Sequence, residues 1–218
     1  MLNYLFSNPL VFIVYILSLF MAISVHEFSH AWAADRLGDP TARLQGRLNL
    51  NPLVHIDMTG LLFLLFFGFG WGKPVEFDPY NLKDPRRDAA LISIAGPASN
   101  LIFAIVCSLL LKSFILLHLS VLYTIGSIIF APLILLNIGL GVFNILPINP
   151  LDGFKIVGGI LPEKKAREWY QLERYGIIFL LLLVIPIGDS SMLGTIMNPI
   201  MNFILKLLLP SVVGQGII

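Results

Sequence analysis

The amino-acid sequence predicts an all-α polytopic membrane protein with about five transmembrane helices, a re-entrant segment and short strands near the cytoplasmic face. Hydrophobic residues make up 57% of the 218 residues, charged residues only 12%, and the mean hydropathy is +0.87. Because an average soluble domain carries about 25% charged residues, this chain cannot cover a surface that faces water. The apolar residues also fall into separate runs, and several of these reach the length of about 20 residues that crosses a bilayer.

Five apolar runs are candidates for crossing the membrane. The predicted spans cover residues 10–34, 88–117, 120–146, 174–188 and 193–209. The last two are short and contain Pro186 and Pro199, which disfavour a continuous helix. The first run follows no basic segment and contains no small-residue cleavage site, so we expect it to be retained rather than removed as a signal peptide.

A sixth apolar run, LLFLLFFGFGW at residues 61–71, is too short to cross, and its length suits a re-entrant segment. If it does not cross, the lysine and arginine residues of segments 36–87 and 155–174 lie on the same side of the membrane. The positive-inside rule then makes these segments cytoplasmic and puts the N-terminus outside. We therefore expect a multi-pass protein of the cell membrane.

Two stretches between the first two spans have the pattern of short β-strands. In TARLQGRLNLN, residues 41–51, polar side chains alternate with alanine, leucine or glycine, and this period of two is typical of a strand. KPVEF, residues 73–77, is a second candidate strand. Both stretches are expected near the cytoplasmic face.

The end of the first span carries the sequence SVHEFSH, in which His26 and His30 are four positions apart. On a helix, residues with this spacing lie on one face, one turn apart. Two imidazoles so placed can bind one zinc ion, with Glu27 beside the metal as general base, which is the chemistry of the H-E-x-x-H motif. Ionisable residues within a membrane are costly and usually functional, so the pattern predicts a catalytic metal site.

A catalytic zinc ion usually has three protein ligands and leaves one position for water. The strongest candidate for the third ligand is Asp152, in NILPINPLDGF, because the five-span arrangement puts it at the same height as the two histidines. Pro147 and Pro150 break the helix before it and allow the chain to turn inward. His55, in NPLVHIDMTG, is the rival ligand, and its alternative role is to line the site.

Three separated motifs together resemble the site-2 protease family of intramembrane zinc metalloproteases. They are HEFSH on a membrane helix, GPASN (96–100) on the next span and NILPINPLDG after a third. The resemblance covers residues 10 to about 160, and it is to the compact prokaryotic branch of the family, without a PDZ insertion.

The resemblance implies a set of roles for individual residues. His26, His30 and Asp152 would bind one zinc ion per chain, Glu27 would activate the water, and Asn144 would contact the substrate near the scissile bond. The function implied is hydrolysis of peptide bonds in or near transmembrane segments of membrane proteins. The enzyme would act in the prokaryotic cytoplasmic membrane, with its active site near the cytoplasmic side.

The sequence is then divided into residues 1–160, the membrane-embedded metalloprotease core, and residues 161–218, a C-terminal pair of transmembrane helices. A substrate helix must unwind before cleavage, and its freed backbone groups need new hydrogen-bonding partners. We expect the strand edges at 41–51 or 73–77 to supply them by strand addition.

Other functions are weighed against this hypothesis. A metal-binding membrane transporter would have polar residues along several spans, whereas 174–188 and 193–209 carry almost none. A di-metal carboxylate oxidase would need paired Glu-x-x-His motifs. A relative that binds metal without proteolysis would not need Glu27. The sequence has no basic patch, so we expect no nucleic-acid partner.

Overall fold

The computed structural model describes residues 6–67, 70–187 and 190–209. Its α-helices are α1 (Pro9–Leu37), α2 (Thr41–Leu44), α3 (Met58–Phe67), α4 (Pro85–Leu116), α5 (Ser120–Ile145), α6 (Asp152–Ile160), α7 (Glu163–Tyr170), α8 (Gly176–Val184) and α9 (Met192–Leu208). Short 3-10 helices lie at Pro52–Val54, Pro79–Asn81 and Gln171–Tyr175. Strands β1 (Pro186–Ile187) and β2 (Ser190–Ser191) form an antiparallel pair in which Pro186 is opposite Ser191. The predicted all-α class is confirmed.

Within the described residues, three helices are long and apolar enough to cross a membrane: α1, α4 and α5, with 29, 32 and 26 residues. At a rise of 1.5 Å per residue, each is longer than the hydrocarbon core of about 30 Å. Helix α1 begins after Asn8, whose side chain accepts a hydrogen bond from Val11 N, and it ends at Gly38 in the left-handed conformation. The chain is a membrane protein, as its composition predicts.

The fourth predicted span, 174–188, does not form a spanning helix. Helix α8 has nine residues, a length of about 14 Å, and the chain then turns at Pro186 into the β1–β2 pair. Proline has no backbone N–H to donate, which explains why the helix stops there. Helix α9 follows with 17 residues and packs against α5. Three of the five predicted spans are therefore present as full-length helices in the part of the chain that is described.

The prediction of a strand over 41–51 is wrong, because its first four residues form α2 and no strand follows in the segment. Burial does not alternate along the segment: Leu44 is exposed, whereas Arg47 is buried and donates a hydrogen bond to Val54 O. Gly46 has a φ of +71°, which breaks an extended chain. The alternating pattern therefore belongs to a short helix and a loop, in which Arg47 is buried because it hydrogen-bonds to the Val54 carbonyl.

Residues 73–77 belong to no helix or strand, so the second strand prediction is also wrong. Just before them, Ile56 and Gly72 form an isolated antiparallel bridge, and Lys73 N donates to His55 O at 2.8 Å. These contacts bring the two ends of the apolar segment 57–71 side by side. Helix α3 lies within this segment, whose residues 68 and 69 are outside the described part.

Helix α4 is the centre of the fold and packs against α1, α5 and α6. The largest buried apolar cluster lies where α4, α5 and α9 meet, and its members are Ala104, Cys107, Ala131, Leu133, Ile134, Ile138, Leu205 and Leu209. A Cβ at Gly141 of α5 would lie 3.3 Å from Pro97 O of α4, so the two backbones approach closely there. This packing brings together the second half of α1, the first half of α4 and the end of α5.

Candidate metal centre

The two histidines of the H-E-x-x-H motif lie one helical turn apart on α1, and both side chains are buried. Their Nε2 atoms are 3.0 Å apart, and the rings meet edge to face with centroids 4.6 Å apart. The helical spacing therefore brings the two imidazole nitrogens to one point, as the motif predicts.

Asp152 is the first residue of α6, and its Oδ2 atom lies 3.1 Å from His26 Nε2 and 3.2 Å from His30 Nε2. The turn from α5 into α6 contains a cis peptide bond between Asn149 and Pro150. The next residue, Gly153, is essential to the turn, because a Cβ there would lie 2.0 Å from Ile145 O. The glycine allows α6 to start directly against the end of α5, which carries the Asp152 carboxylate to the histidines.

The outer ring nitrogens show which atoms of the histidines are free to bind a metal. His26 Nδ1 lies 2.6 Å from Asn100 Oδ1, and His30 Nδ1 lies 2.7 Å from Ile92 O. Because both partners are carbonyl oxygens, both Nδ1 atoms donate. Each Nε2 then presents a lone pair toward Asp152 Oδ2.

Three acceptor atoms thus converge: the two Nε2 atoms and one carboxylate oxygen. Their separations are 3.0, 3.1 and 3.2 Å. A tetrahedral zinc ion with bonds of 2.0–2.2 Å to nitrogen and oxygen separates its ligand atoms by about 3.3–3.6 Å, a few tenths of an ångström more than these atoms are apart. Asp152 Oδ2 is also buried with no hydrogen-bond donor assigned to it among the described residues. The donor set and its spacing therefore fit a zinc ion.

Gly96 of the GPASN motif makes room for the imidazoles. A Cβ at this position would lie 2.4 Å from His30 Nε2 and 2.7 Å from His26 Cε1. The two rings therefore lie directly against the backbone of α4. No role at the metal site was predicted for GPASN from the sequence, and the available signal for one was its glycine on the span that follows the histidines.

Glu27 and His26 both line a cavity of about 390 Å³. Glu27 Oε2 accepts a hydrogen bond from Val75 N at 3.1 Å, so the segment 73–77 holds the carboxylate in place. The carboxylate is half-buried, next to the cluster and open to the cavity. It is therefore positioned to exchange a proton with a molecule bound in the cavity.

The cavity wall is mostly apolar and comes from α1, α3, α5, α8 and the loops between them. Its apolar side chains include Leu19, Phe20, Ile23, Ile56, Leu61, Trp71, Leu140, Phe143, Leu151 and Leu180. Asn144 and Asp57 add polar groups to this wall. Asn144 Nδ2 donates to Leu140 O of its own helix, and Asp57 Oδ1 accepts from Gly60 N at the start of α3. A chain of mainly apolar residues could occupy this space.

The structure does not bring His55 to the metal centre. Its side chain is fully buried, and Nε2 donates to Asn49 O at 2.6 Å. It belongs neither to the group of side chains that could hold a metal ion nor to the residues that line the cavity. His55 instead holds the loop before α3, and of the two candidates for the third ligand only Asp152 lies beside the histidines.

The profile of Peptidase family M50 matches residues 14–127, slightly more than half of the chain. The matched range contains His26, Glu27 and His30 and ends within α5, before Asp152.

Several curated proteins are similar over most of the chain. "Putative zinc metalloprotease YwhC" of Bacillus subtilis (strain 168) is 40% identical over 199 residues, which cover 88% of this chain and 89% of that protein. "Putative zinc metalloprotease Rip2" of Mycolicibacterium smegmatis is 31% identical over 181 residues, 80% of this chain and 68% of that protein. The protein of the same name from Mycobacterium tuberculosis (strain H37Rv) is 30% identical over 180 residues, 79% and 67% of the two chains. No solved structure matches this chain.

Proposed function

Because the chain belongs to Peptidase family M50, we propose that it hydrolyses peptide bonds in or near transmembrane segments of membrane proteins. It is a membrane zinc metalloprotease of the site-2 protease kind. The observation that carries the proposal is the convergence of three metal-binding atoms within 3.2 Å beside a glutamate that faces a cavity. No finding favours a transporter.

His26, His30 and Asp152 are the proposed ligands of one zinc ion per chain. The support is the donor set itself: two imidazole nitrogens that are free to bind, and a buried carboxylate oxygen in reach of both. Three protein ligands leave a fourth position for water, which is the arrangement of catalytic rather than structural zinc sites.

When bound by these residues, a zinc ion would supply Lewis-acid chemistry, which makes water a stronger acid near neutral pH. Glu27 is the proposed general base that takes a proton from the attacking water and returns it to the leaving amine. The hydrogen bond from Val75 N keeps the Glu27 carboxylate oriented, and it leaves Oε1 available for the proton. Asn144, in the cavity wall, is proposed to bind the substrate backbone near the scissile bond.

The substrate is proposed to be a transmembrane protein whose scissile segment unwinds in the cavity. Helical backbone groups are paired internally in lipid, so the unwound segment needs new partners. The segment 73–77 contacts Glu27 through Val75 N, so strand addition along it remains the proposed mode. The segment 41–51 no longer supports this role, since it begins as a helix.

The proposed location is the prokaryotic cytoplasmic membrane, with the N-terminus outside and the active site near the cytoplasmic side. The basic residues of segments 36–87 and 155–174 support this orientation. Segment 61–71 is the proposed re-entrant part, and the bridge between Ile56 and Gly72, which lie on either side of it, supports this. Residues 1–160 then form the catalytic core, and 161–218 a C-terminal unit in which α8 and α9 contact each other.

The test uses the whole chain purified in detergent with a model transmembrane substrate. Wild type is expected to contain about one zinc per chain and to cut the substrate. Glu27→Gln is expected to keep the zinc and lose cleavage, because the amide cannot accept the proton. Metal-free wild type that is well folded, or normal cleavage by Glu27→Gln, would contradict the proposal.

A further inference from the structure

A chain of side-chain hydrogen bonds leads from α5 through α4 to the metal centre. Asn137 Oδ1 accepts from Asn100 Nδ2 at 2.8 Å, and Asn100 Oδ1 lies 2.6 Å from His26 Nδ1. Both asparagine side chains are fully buried, with an exposed fraction of 0%. Burying an amide group costs free energy unless the group is hydrogen-bonded. The bonds between these two amides and to His26 therefore offset the cost of burying them.

The orientation of the Asn100 amide decides which nitrogen of His26 carries the proton. With the amide oxygen toward the ring, Nδ1 must donate, and Nε2 is left free to bind a metal. With the amide turned over, its NH₂ group would face Nδ1, and the ring would carry its proton on Nε2. The second arrangement would block the atom that faces Asp152 and His30.

Two acceptors on the far side of Asn100 hold the amide in the first orientation. Asn100 Nδ2 donates to Ala22 O at 3.0 Å and to Asn137 Oδ1 at 2.8 Å. Asn137 is in turn oriented by its own Nδ2, which donates to Leu133 O at 2.8 Å. Backbone carbonyls can only accept, so the order of donors and acceptors along the whole chain is fixed from the Leu133 carbonyl to His26.

We propose that Asn137 is a positioning residue of the zinc site: acting through Asn100, it fixes the tautomer of His26 in which Nε2 is free. This inference rests on the proposed zinc site and adds a residue that touches neither the metal nor the cavity. Groups that hydrogen-bond to metal-binding histidines commonly change metal affinity about 10–100-fold when they are replaced. Asn137 acts one hydrogen bond further out, so we expect its loss to weaken zinc binding about 10-fold.

His30 provides an internal reference within the same site. Its Nδ1 bonds to the backbone carbonyl of Ile92, which no side-chain substitution at position 137 alters. The proposal therefore predicts a change at one histidine of the pair and none at the other. A general loosening of the helix packing would affect both.

The first experiment needs no variant of Asn137. Metal-free protein labelled with ¹⁵N-histidine is studied in detergent micelles, and the imidazole ¹⁵N shifts report which ring nitrogen carries the proton. The four histidines of the chain are assigned with single His→Gln substitutions. The expected result is that neutral His26 carries its proton on Nδ1, and a proton on Nε2 would overturn the proposal.

The second experiment compares wild type with Asn137→Leu in a zinc competition titration against a chromophoric chelator. The leucine has a similar size but cannot accept from Asn100, so the Asn100 amide keeps only one of its two acceptors, Ala22 O, and turns over more readily. The expected results are about a 10-fold loss of zinc affinity and a new fraction of His26 with its proton on Nε2. His30 is expected to keep its tautomer.

Ser108→Ala is the matched control, because it also removes a buried hydrogen bond between helices. Ser108 Oγ on α4 donates to Leu208 O, and the residue belongs to neither the metal site nor the asparagine pair. The zinc affinity of Ser108→Ala and the imidazole ¹⁵N shifts of its His26 are expected to match those of wild type. If wild type binds no zinc, the proposed function fails. If wild type binds zinc and Asn137→Leu matches it in affinity and tautomer, only the role of Asn137 fails.

Discussion

Asp152 Oδ2 lies 3.1 Å from His26 Nε2, although the carboxylate starts one helix and the imidazole lies within another, far earlier in the chain. Two local features make this possible. Gly153 lets α6 begin against the last turn of α5, and Gly96 lets the imidazoles rest on the backbone of α4. The metal centre therefore depends on two close approaches, of α6 to the end of α5 and of the imidazole rings to α4, and each requires a glycine.

The carboxylate of Asp152 is expected to be required for tight zinc binding. Asp152→Asn keeps the size of the side chain but removes its charge, so zinc affinity should fall by at least about 100-fold. This loss is larger than the loss expected for a residue that only hydrogen-bonds to a ligand, directly or through another residue. The measurement is zinc per chain after dialysis and a chelator competition titration. His55→Ala is the comparison variant and should retain zinc. If His55→Ala lost the metal and Asp152→Asn kept it, the proposed ligand set would be wrong.

Gly96→Ala is expected to disrupt the metal centre, because the new methyl group would overlap both imidazole rings. Zinc content should drop well below one per chain, and cleavage should drop with it. Gly139→Ala on α5 is a matched control, since its Cβ would meet only Met201 Cε at an ordinary 3.5 Å. Equal zinc content in the two variants would show that α4 leaves more space at the rings than the structure indicates.

Val75→Pro tests the contact between the segment 73–77 and Glu27. Proline removes the N–H that donates to Glu27 Oε2, whereas Val75→Ala keeps it. Hydrogen bonds to charged groups contribute about 1.5–3 kcal/mol, so the cleavage rate should fall about 10-fold or more in the proline variant. Zinc content should be unchanged, since no proposed ligand is touched. Equal cleavage rates for Val75→Pro and Val75→Ala would mean that the contact does not orient the base.

Asp39 is expected to stabilise the fold in a pH-dependent way. The residue is buried just beyond α1 and accepts hydrogen bonds from Thr41 N, Thr41 Oγ1, Asp78 N and Asn81 Nδ2. Burial alone would raise the pKa of this carboxyl, but the hydrogen bonds from Thr41, Asn81 and Asp78 outweigh it and hold the pKa below its ordinary value.

A lowered folded-state pKa means that Asp39 contributes its full stability above the unfolded-state pKa of about 3.9. The contribution is lost as the pH falls through the lower folded-state pKa. Asp39→Asn should therefore unfold more easily than wild type at pH 6, by about 1–3 kcal/mol. The gap should shrink at pH 3, as measured by thermal unfolding in detergent. A gap of the same size at both pH values would contradict the assignment.

The local parts of this fold are readable from the sequence. The three long apolar helices coincide with the first three predicted spans to within a few residues. The failures involve segments whose conformation depends on distant contacts. The alternation of 41–51 predicts a strand, but Arg47 turns inward and donates a hydrogen bond to Val54 O, and no strand lies beside this segment in the described part of the chain. The run at 174–188 is apolar enough for a span, but its helix ends at Val184, just before Pro186.

The same division holds for the candidate site. Spacing alone puts His26 and His30 on one face of a helix, because helical geometry is set by neighbours in the chain. Sequence reasoning ranked Asp152 above His55 as the third ligand without deciding between them. It did not predict that the imidazole rings pack against Gly96. It also did not predict that Asn137 is connected to His26 by hydrogen bonds through Asn100.

The sequence by itself determined that this is a membrane protein, where its three long helices lie, and which pair of histidines faces a common point. These properties follow from composition and from short-range periodicity. Tertiary structure alone decided which carboxylate meets the histidines, which segment holds Glu27, and how the Asn100 amide is oriented. Those outcomes depend on how closely α1, α4, α5 and α6 approach, and that distance is set by side chains and glycines far apart in the chain.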